Sequence, residues 1–279
     1  MAEVNTYLDI KDLNKSIGDL ILFENASLSI AERQRIGIIG RNGTGKSTLL
    51  NIISGKEGYD SGEVVFRRGI KVGFLEQSPE YIPDQTVIEA CFNNGNEKAE
   101  LIYKYMECIS ANDHSRLSEL SNSMDISDAW NYEHRIKEVL SKLNISNFHE
   151  RMGNLSGGQR KRVALANVLL TEPDMLILDE PTNHLDLQMI EWLEKYLSQQ
   201  YITLLMVTHD RYFLDRVCNK IIELDNHQFY SYQGSYSYFI EKRQQRKDAE
   251  AAEVARANNL YRRELEWMRR MPQARGHKA

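Results

Sequence analysis

Residues 35–48 read RIGIIGRNGTGKST, and their interpretation decides the fold. RIGIIG is an apolar run of strand length, and KSTLLNIIS behind it places apolar residues at helical spacing. The stretch GRNGTGKST between them fits G-x-x-x-x-G-K-[ST] in the strand–loop–helix setting that the pattern requires. Gly43 and Gly45 open backbone conformations closed to other residues, so successive N–H groups can turn inward onto phosphate oxygens. Gly40, Asn42 and Thr44 complete the cradle, and Thr48 continues the helix whose N-terminal dipole favours an anion. Lys46 supplies a point charge for the β- and γ-phosphates, and the Ser47 hydroxyl can ligate Mg²⁺. A glycine turn serving packing alone does not call for a Lys-Ser pair at that place.

MLILDEPTNHLD (175–186) supplies the matching carboxylates. Its apolar run reads as a buried strand, so Asp179 and Glu180 emerge at the carboxyl end, where open α/β sheets bind ligands. Asp179 can hold Mg²⁺ through water, and Glu180 can orient and deprotonate an attacking water. A third strand, ITLLMVTH (202–209), ends on His209. Helical patterns fill 158–170 and 187–200, and the βα alternation predicts an α/β fold with a mostly parallel sheet. A helix-rich stretch from about Val87 to Met152 interrupts it and reads as an inserted subdomain, about 87–168 with the helix that follows. Beyond Gly234 the chain holds no proline before Pro272 and reads as one long helix.

Composition narrows the class. The chain has 279 residues, is 42% hydrophobic and carries no apolar run long enough to span a bilayer. Cys91, Cys108 and Cys218 form no CxxC pair, which fits a reducing cytosol better than a disulfide framework or a zinc site. Of the 35 Lys/Arg and 40 Asp/Glu, residues 241–279 hold eleven basic and six acidic side chains, leaving 24 and 34 for the rest. The extension, rather than the acidic body, is therefore the part suited to a polyanion, with a solvated helix face as the competing reading.

NLSGGQRKRVALANVLL (154–170) narrows it further. A Ser-Gly-Gly turn opening a helix is an anion site on the same physics as the phosphate loop, and one nucleotide does not need two complete cradles from one domain. LSGGQ at 155–159, with the two motifs above, resembles the ATP-binding cassette (ABC) ATPases over about residues 4–230. That resemblance implies a P-loop nucleotide-binding domain with an antiparallel β subdomain and an inserted helical subdomain, together spanning 1–235, and then the first part of a linker helix over 236–279. It further implies ATP and Mg²⁺ as ligands and a second, facing cassette, in a chain continuing past Ala279 or in a second copy. Ser156, Gly158 and Gln159 would then meet the nucleotide held by the partner cassette, with Asp186 as the D-loop residue. Gln77 in VGFLEQ matches the Q-loop position that senses Mg²⁺ and the attacking water, and His209 matches the switch histidine. Where the family usually stacks an aromatic ring on adenine, this chain has Ile17 in NKSIGD, so adenine would rest on an aliphatic surface.

EPTNHLD, THDRYFLDRV and ELEWMRRMPQAR resemble the ABC-F proteins, cytoplasmic two-cassette ATPases, and the short span between Gln77 and Leu155 resembles their Uup-like branch. The resemblance implies a translation factor that reaches the ribosome, tRNA and rRNA through its linker. Arg262, Arg263, Arg269, Arg270, Arg275 and Lys278 suit phosphates and bases, and Trp267 adds a flat surface. Val254, Ala257, Tyr261, Leu265 and Met268 also mark one helix face for a partner helix. An antibiotic-resistance ABC-F factor shares all of these motifs, and it stays open as an alternative beside an ABC transporter subunit and a DNA-handling ATPase.

Overall fold

The computed structural model describes residues 5–75, 81–92, 97–110, 113–199 and 201–270. The chain divides into two compact units, Met1–Ser235 and Tyr236–Ala279.

The first unit is built on two sheets. β1 (Thr6–Ile17) and β2 (Leu20–Ala31) form a hairpin around Gly18 and Asp19, and β4 (Ser61–Phe66) pairs with the other edge of β1. All three strands are antiparallel, in the order β2-β1-β4. The second sheet has the order β5-β6-β7-β3-β8-β9. β5 (Val72–Leu75), β6 (Met175–Asp179), β7 (Thr203–Val207), β3 (Arg35–Gly40) and β8 (Lys220–Asp225) run parallel, and β9 (Gln228–Gln233) closes the edge antiparallel to β8. Every residue of β6 and β7 is buried, as expected for parallel strands covered on both faces. One apolar cluster joins the two sheets, with Leu8, Ile10 and Phe23 meeting Ile36, Ile38, Ile177, Val207 and Ile222. Leu49 and Leu50 of α1 (Lys46–Ile53) pack into the same cluster, so the helix behind the phosphate loop is anchored by the core. Truncating Leu50 to Ala would cost about 2–5 kcal/mol.

The helical part contains α2 (Val87–Phe92), α3 (Glu97–Ser110), α4 (His114–Ser127), α5 (Trp130–Lys142) and α6 (Gly157–Leu170). α3 packs along α4, while α2 and α5 pack on α6. α7 (Leu187–Leu197) and α8 (Arg211–Val217) complete the unit. All three cysteines are free, and burial pushes the Cys91 thiol up to about 12, which makes it inert. The α/β class, the parallel sheet and the helical insertion all match the expectation from sequence. Two strands end earlier than their apolar runs indicate. β6 stops at Asp179 and β7 at Val207, because Glu180 takes a left-handed φ of 49° and Thr208 and His209 lead into the next helix. The 187–200 helical pattern likewise stops at Leu197.

The second unit is α9 (Tyr236–Arg270), a helix of 35 residues. At 1.5 Å per residue it extends about 50 Å. Ion pairs and amide contacts at i,i+4 line its surface, including Arg246 with Glu250 at 2.9 Å and Gln244 with Asp248 at 2.8 Å. Val254, Ala257, Tyr261 and Met268 are exposed and Leu265 is half-buried, so the apolar stripe largely faces solvent, as does Trp267. Pro272, Arg275 and Lys278 lie outside the described residues.

Candidate active site

The phosphate loop leaves the carboxyl end of β3 and enters α1 through Gly45, whose φ of 96° no residue with a Cβ adopts at ease. A Cβ there would also stand 3.0 Å from the Phe23 ring. No side chain caps α1, so its first-turn N–H groups are not claimed by a capping side chain. Gly40 lies close under the loop, where a Cβ would meet Leu224 O and Thr44 Oγ1 at 2.9 Å. Thr44 Oγ1 donates to Arg41 O at 2.9 Å, so Gly40 and Thr44 shape the loop from within. Lys46 is buried and its Nζ donates to Gly40 O at 3.0 Å and Arg41 O at 2.9 Å. Burial lowers its pKa, opposed by the negative charge of Glu180 and Asp179.

Asp179 ends β6 with its carboxylate accepting a hydrogen bond from Ser47. Burial holds that carboxyl above the ordinary range, and Ser47, Lys46 and Lys161 pull it back. Glu180 follows, its N–H donating to Val207 O at 2.8 Å, which ties together the carboxyl ends of the parallel strands β6 and β7. Its side chain is 16% exposed, with Oε1 3.5 Å from His209 Nε2 and Oε2 accepting from the His209 N–H at 3.4 Å. A hydroxyl contact of 3.2 Å between Thr182 and Thr208 ties the two loops together.

These segments line one open cleft of about 510 Å³. The structure brings together Asn42, Gly43, Gly45, Lys46, Ser47 and Thr48 with Asp179, Glu180, His209 and Ile17. Sequence reasoning missed Leu20, Leu22, Asn183 and Val207, which also line it. Asn183 carried a signal, since its N–H closes a turn onto Glu180 O at 3.2 Å in the already noted DEPTN stretch. Gln77 lies outside the described residues. Lys46 with the Ser47–Asp179 pair can hold phosphate and a hard cation, and Glu180 can take a proton from water.

Ser156, Gly158, Gln159 and Asp186 are not part of this cleft's lining. Ser156 caps α6, accepting from the Gln159 N–H at 3.2 Å, while Gln159 Oε1 accepts from the Ser156 N–H at 2.9 Å. This reciprocal capping box engages both side chains within the turn. Asp186 caps α7 one way only, accepting from the Met189 N–H at 3.0 Å.

Residues 23–183 match the family model described as ABC transporter, and residues 222–279 match a second model with the same description. The chain is 42% identical over 279 residues to the uncharacterized ABC transporter ATP-binding protein YfmR of Bacillus subtilis, covering 97% of this chain and 44% of that protein. It is 35% identical over 285 residues to the energy-dependent translational throttle protein EttA of Mycobacterium tuberculosis, covering 97% and 50%. EttA of Escherichia coli is 36% identical over 269 residues, covering 92% and 48%. The chain thus spans about half the length of these curated relatives. Among solved structures, an ATP-binding subunit of an ABC transporter superposes with a TM-score of 0.62 at 20% identity, covering 81% of this chain and 90% of that one. A dimeric ATP-binding cassette with bound ADP and phosphate superposes with a TM-score of 0.59 at 26% identity, covering 81% and 98%. Phosphate loop, capped signature turn and family match agree: the chain belongs to the ABC transporter family of ATP-hydrolysing cassettes.

Proposed function

We propose that this chain binds Mg·ATP in the cleft and works as one of two facing cassettes in a cytoplasmic ABC-F ATPase that acts on the ribosome. The observation that carries the enzymatic part is the position of Glu180. It is a mostly buried carboxylate at the mouth of β6, in the same cleft as Lys46 and the Ser47–Asp179 pair. Ser47 and Asp179 fit Mg²⁺, a hard cation that takes few protein oxygens and completes its shell with water and phosphate. When bound, that cation supplies charge neutralisation at the β- and γ-phosphates. Lys46 binds and orients the phosphates. Glu180 holds the attacking water and takes its proton as the water oxygen bonds to the γ-phosphorus and the bond to the β-phosphate oxygen breaks. His209, held beside the Glu180 carboxylate, steadies that side chain and faces the γ-phosphate.

In the paired state, Ser156 and Gly158 of one cassette meet the nucleotide held by the other, and Asp186 sits at the junction. This reading is supported by the LSGGQ turn standing apart from the cleft of its own chain, and by the dimeric state of one structural relative. The ribosomal role rests on the EttA relatives, which are named as translational throttle proteins, and on the basic helix α9, suited to tRNA or rRNA. Within ABC-F, the short stretch between Gln77 and Leu155 favours the Uup-like branch.

Glu180→Gln tests both halves. Turnover in the paired protein should fall roughly 100- to 1000-fold with ATP binding kept, since removing a general base costs about that much. With hydrolysis blocked, ATP should carry the variant into the ribosomal fraction on sedimentation. Unchanged turnover would remove Glu180 from its role. Sedimentation with membranes instead would favour a transporter subunit, the reading that the YfmR description raises.

A further inference from the structure

The side-chain and turn hydrogen bonds within residues 40–46 converge on two carbonyls. The Thr44 N–H and hydroxyl donate to Arg41 O at 3.4 and 2.9 Å, and Lys46 Nζ donates to Gly40 O and Arg41 O. Asn42 and Gly43, at the crest of the loop, are exposed and stand outside this network. Among the described residues, neither the Asn42 side chain nor the Gly43 N–H takes part in a hydrogen bond. Gly43 has a left-handed φ of 81°, and a Cβ on it would meet nothing within 4 Å, so the turn has open space around it. Asn42 and Gly43 both line the cleft.

An asparagine followed by glycine is the pair best placed for a peptide to attack its own side chain. Glycine sets no Cβ beside the attacking nitrogen and leaves its backbone free to turn. Only Asn42 and Asn94 precede a glycine in this sequence, and Asn94 lies outside the described residues.

We propose that Asn42-Gly43 is a self-modification site: in the empty cleft Asn42 deamidates spontaneously and closes the site to nucleotide, whereas bound nucleotide prevents the reaction. The Gly43 nitrogen gives up its proton and bonds to Cγ of Asn42. The bond from Cγ to Nδ2 breaks, and the amide leaves with that proton as ammonia. Water then opens the five-membered ring by breaking the bond from Gly43 N to one of its two carbonyls, which leaves either an aspartate or an isoaspartate. No electrons are gained or lost. Both products set a carboxylate among groups that must meet a triphosphate, and like charges repel at that range. The isoaspartate also lengthens the main chain by one methylene, which moves the N–H groups that follow. Protection by nucleotide rests on the binding reading above: a phosphate oxygen that accepts from the Gly43 N–H ties down the attacking nitrogen.

The test ages the full 279-residue chain near neutral pH, alone or with Mg²⁺ and a non-hydrolysable ATP analogue, and follows the Asn42 and Asn94 peptides by mass spectrometry. In the chain alone Asn42 should convert, and Mg·ATP binding capacity should fall in step with the converted fraction. At a nucleotide concentration 100 times the dissociation constant about 1% of sites are empty, so conversion at Asn42 should slow about 100-fold while Asn94 keeps its rate. Asn42→Asp should bind Mg·ATP at least roughly tenfold more weakly with an unchanged melting temperature, since the new charge acts on the ligand. Asn42→Gln closes the larger ring far more slowly and should keep through ageing whatever affinity it starts with. An intact Asn42 after ageing, whether or not Asn94 converts, would overturn the inference. So would conversion at an equal rate in the nucleotide-saturated chain, or Asn42→Asp binding as tightly as the parent. A fresh chain that binds no Mg·ATP would overturn the reading beneath, and with it the protection.

Discussion

α1 and α6 both begin at glycine-rich turns, and they are built in opposite ways. α1 enters through a left-handed Gly45 with no capping side chain. α6 enters through an extended Ser156, and Ser156 and Gln159 close a capping box on each other. The box accounts for the N–H groups of Ser156 and Gln159 and leaves those of Gly157 and Gly158 outside it. One turn therefore depends on a left-handed glycine to shape the cleft of its own chain. The other is stable as a helix end by itself, and what it offers to an anion is the remaining pair of glycine N–H groups. Similar residue types do different work because one cap is left open and the other is closed.

The largest expected difference lies in ligand binding. Lys46→Ala removes a buried cation from the cleft and should weaken Mg·ATP binding about 100-fold, the scale of a charge-assisted hydrogen bond. Ser156→Ala should leave binding to the single chain unchanged and lower turnover only where two cassettes face each other. Equal losses of binding in the two variants, measured by calorimetric titration, would show that both turns serve one cleft.

Backbone strain separates the turns next. Gly45→Ala must place a Cβ at φ 96° and 3.0 Å from the buried Phe23 ring. A left-handed alanine costs about 1–2 kcal/mol before that contact is relieved, so a loss of roughly 2 kcal/mol is expected. Thermal unfolding should then shift down by about 4–8 °C. An unshifted transition would mean that the loop can open without its glycine.

Much of this was readable in advance, and the exceptions have two different causes. RIGIIGRNGTGKST and MLILDE announced their strands and the ends at which chemistry collects, because an apolar run followed by glycine or acid is a local pattern. Leu20 and Leu22 gave no such sign. They reach the cleft only because β1 and β2 form a hairpin whose pairing shifts register at several points, and a tertiary arrangement of that kind leaves no spacing to detect. The capping box was written in the chain as Ser156-Gly-Gly-Gln159, a serine followed three residues later by glutamine. Taking LSGGQ wholly as ligand-binding residues obscured that Gln159 also serves the helix. Gln159→Ala should accordingly destabilise the chain by about 1 kcal/mol, a shift of about 2–4 °C, with Mg·ATP affinity unchanged. Gln159→Glu can still accept from the Ser156 N–H and should restore most of the loss. A loss of binding affinity equal to that of Lys46→Ala would assign Gln159 to the cleft instead.

The smallest stability effect sharpens the comparison most, because it repeats one substitution with the opposite sign. Gly158→Ala adds a methyl group 3.4 Å from His184 Cβ, an ordinary contact, on backbone that needs no positive φ. Alanine is the better helix former by up to about 1 kcal/mol, so the variant should melt at the same temperature as the parent chain or slightly above it. The same change at Gly45 should melt lower. If the fold of this chain has no need of a glycine at 158, a turnover defect in Gly158→Ala must come from whatever approaches the turn, since a Cβ keeps an anion away from the Gly157 and Gly158 N–H groups. Destabilisation by more than about 1 kcal/mol would show that α6 is constrained from within, as α1 is, and the distinction between an open cap and a closed one would fail.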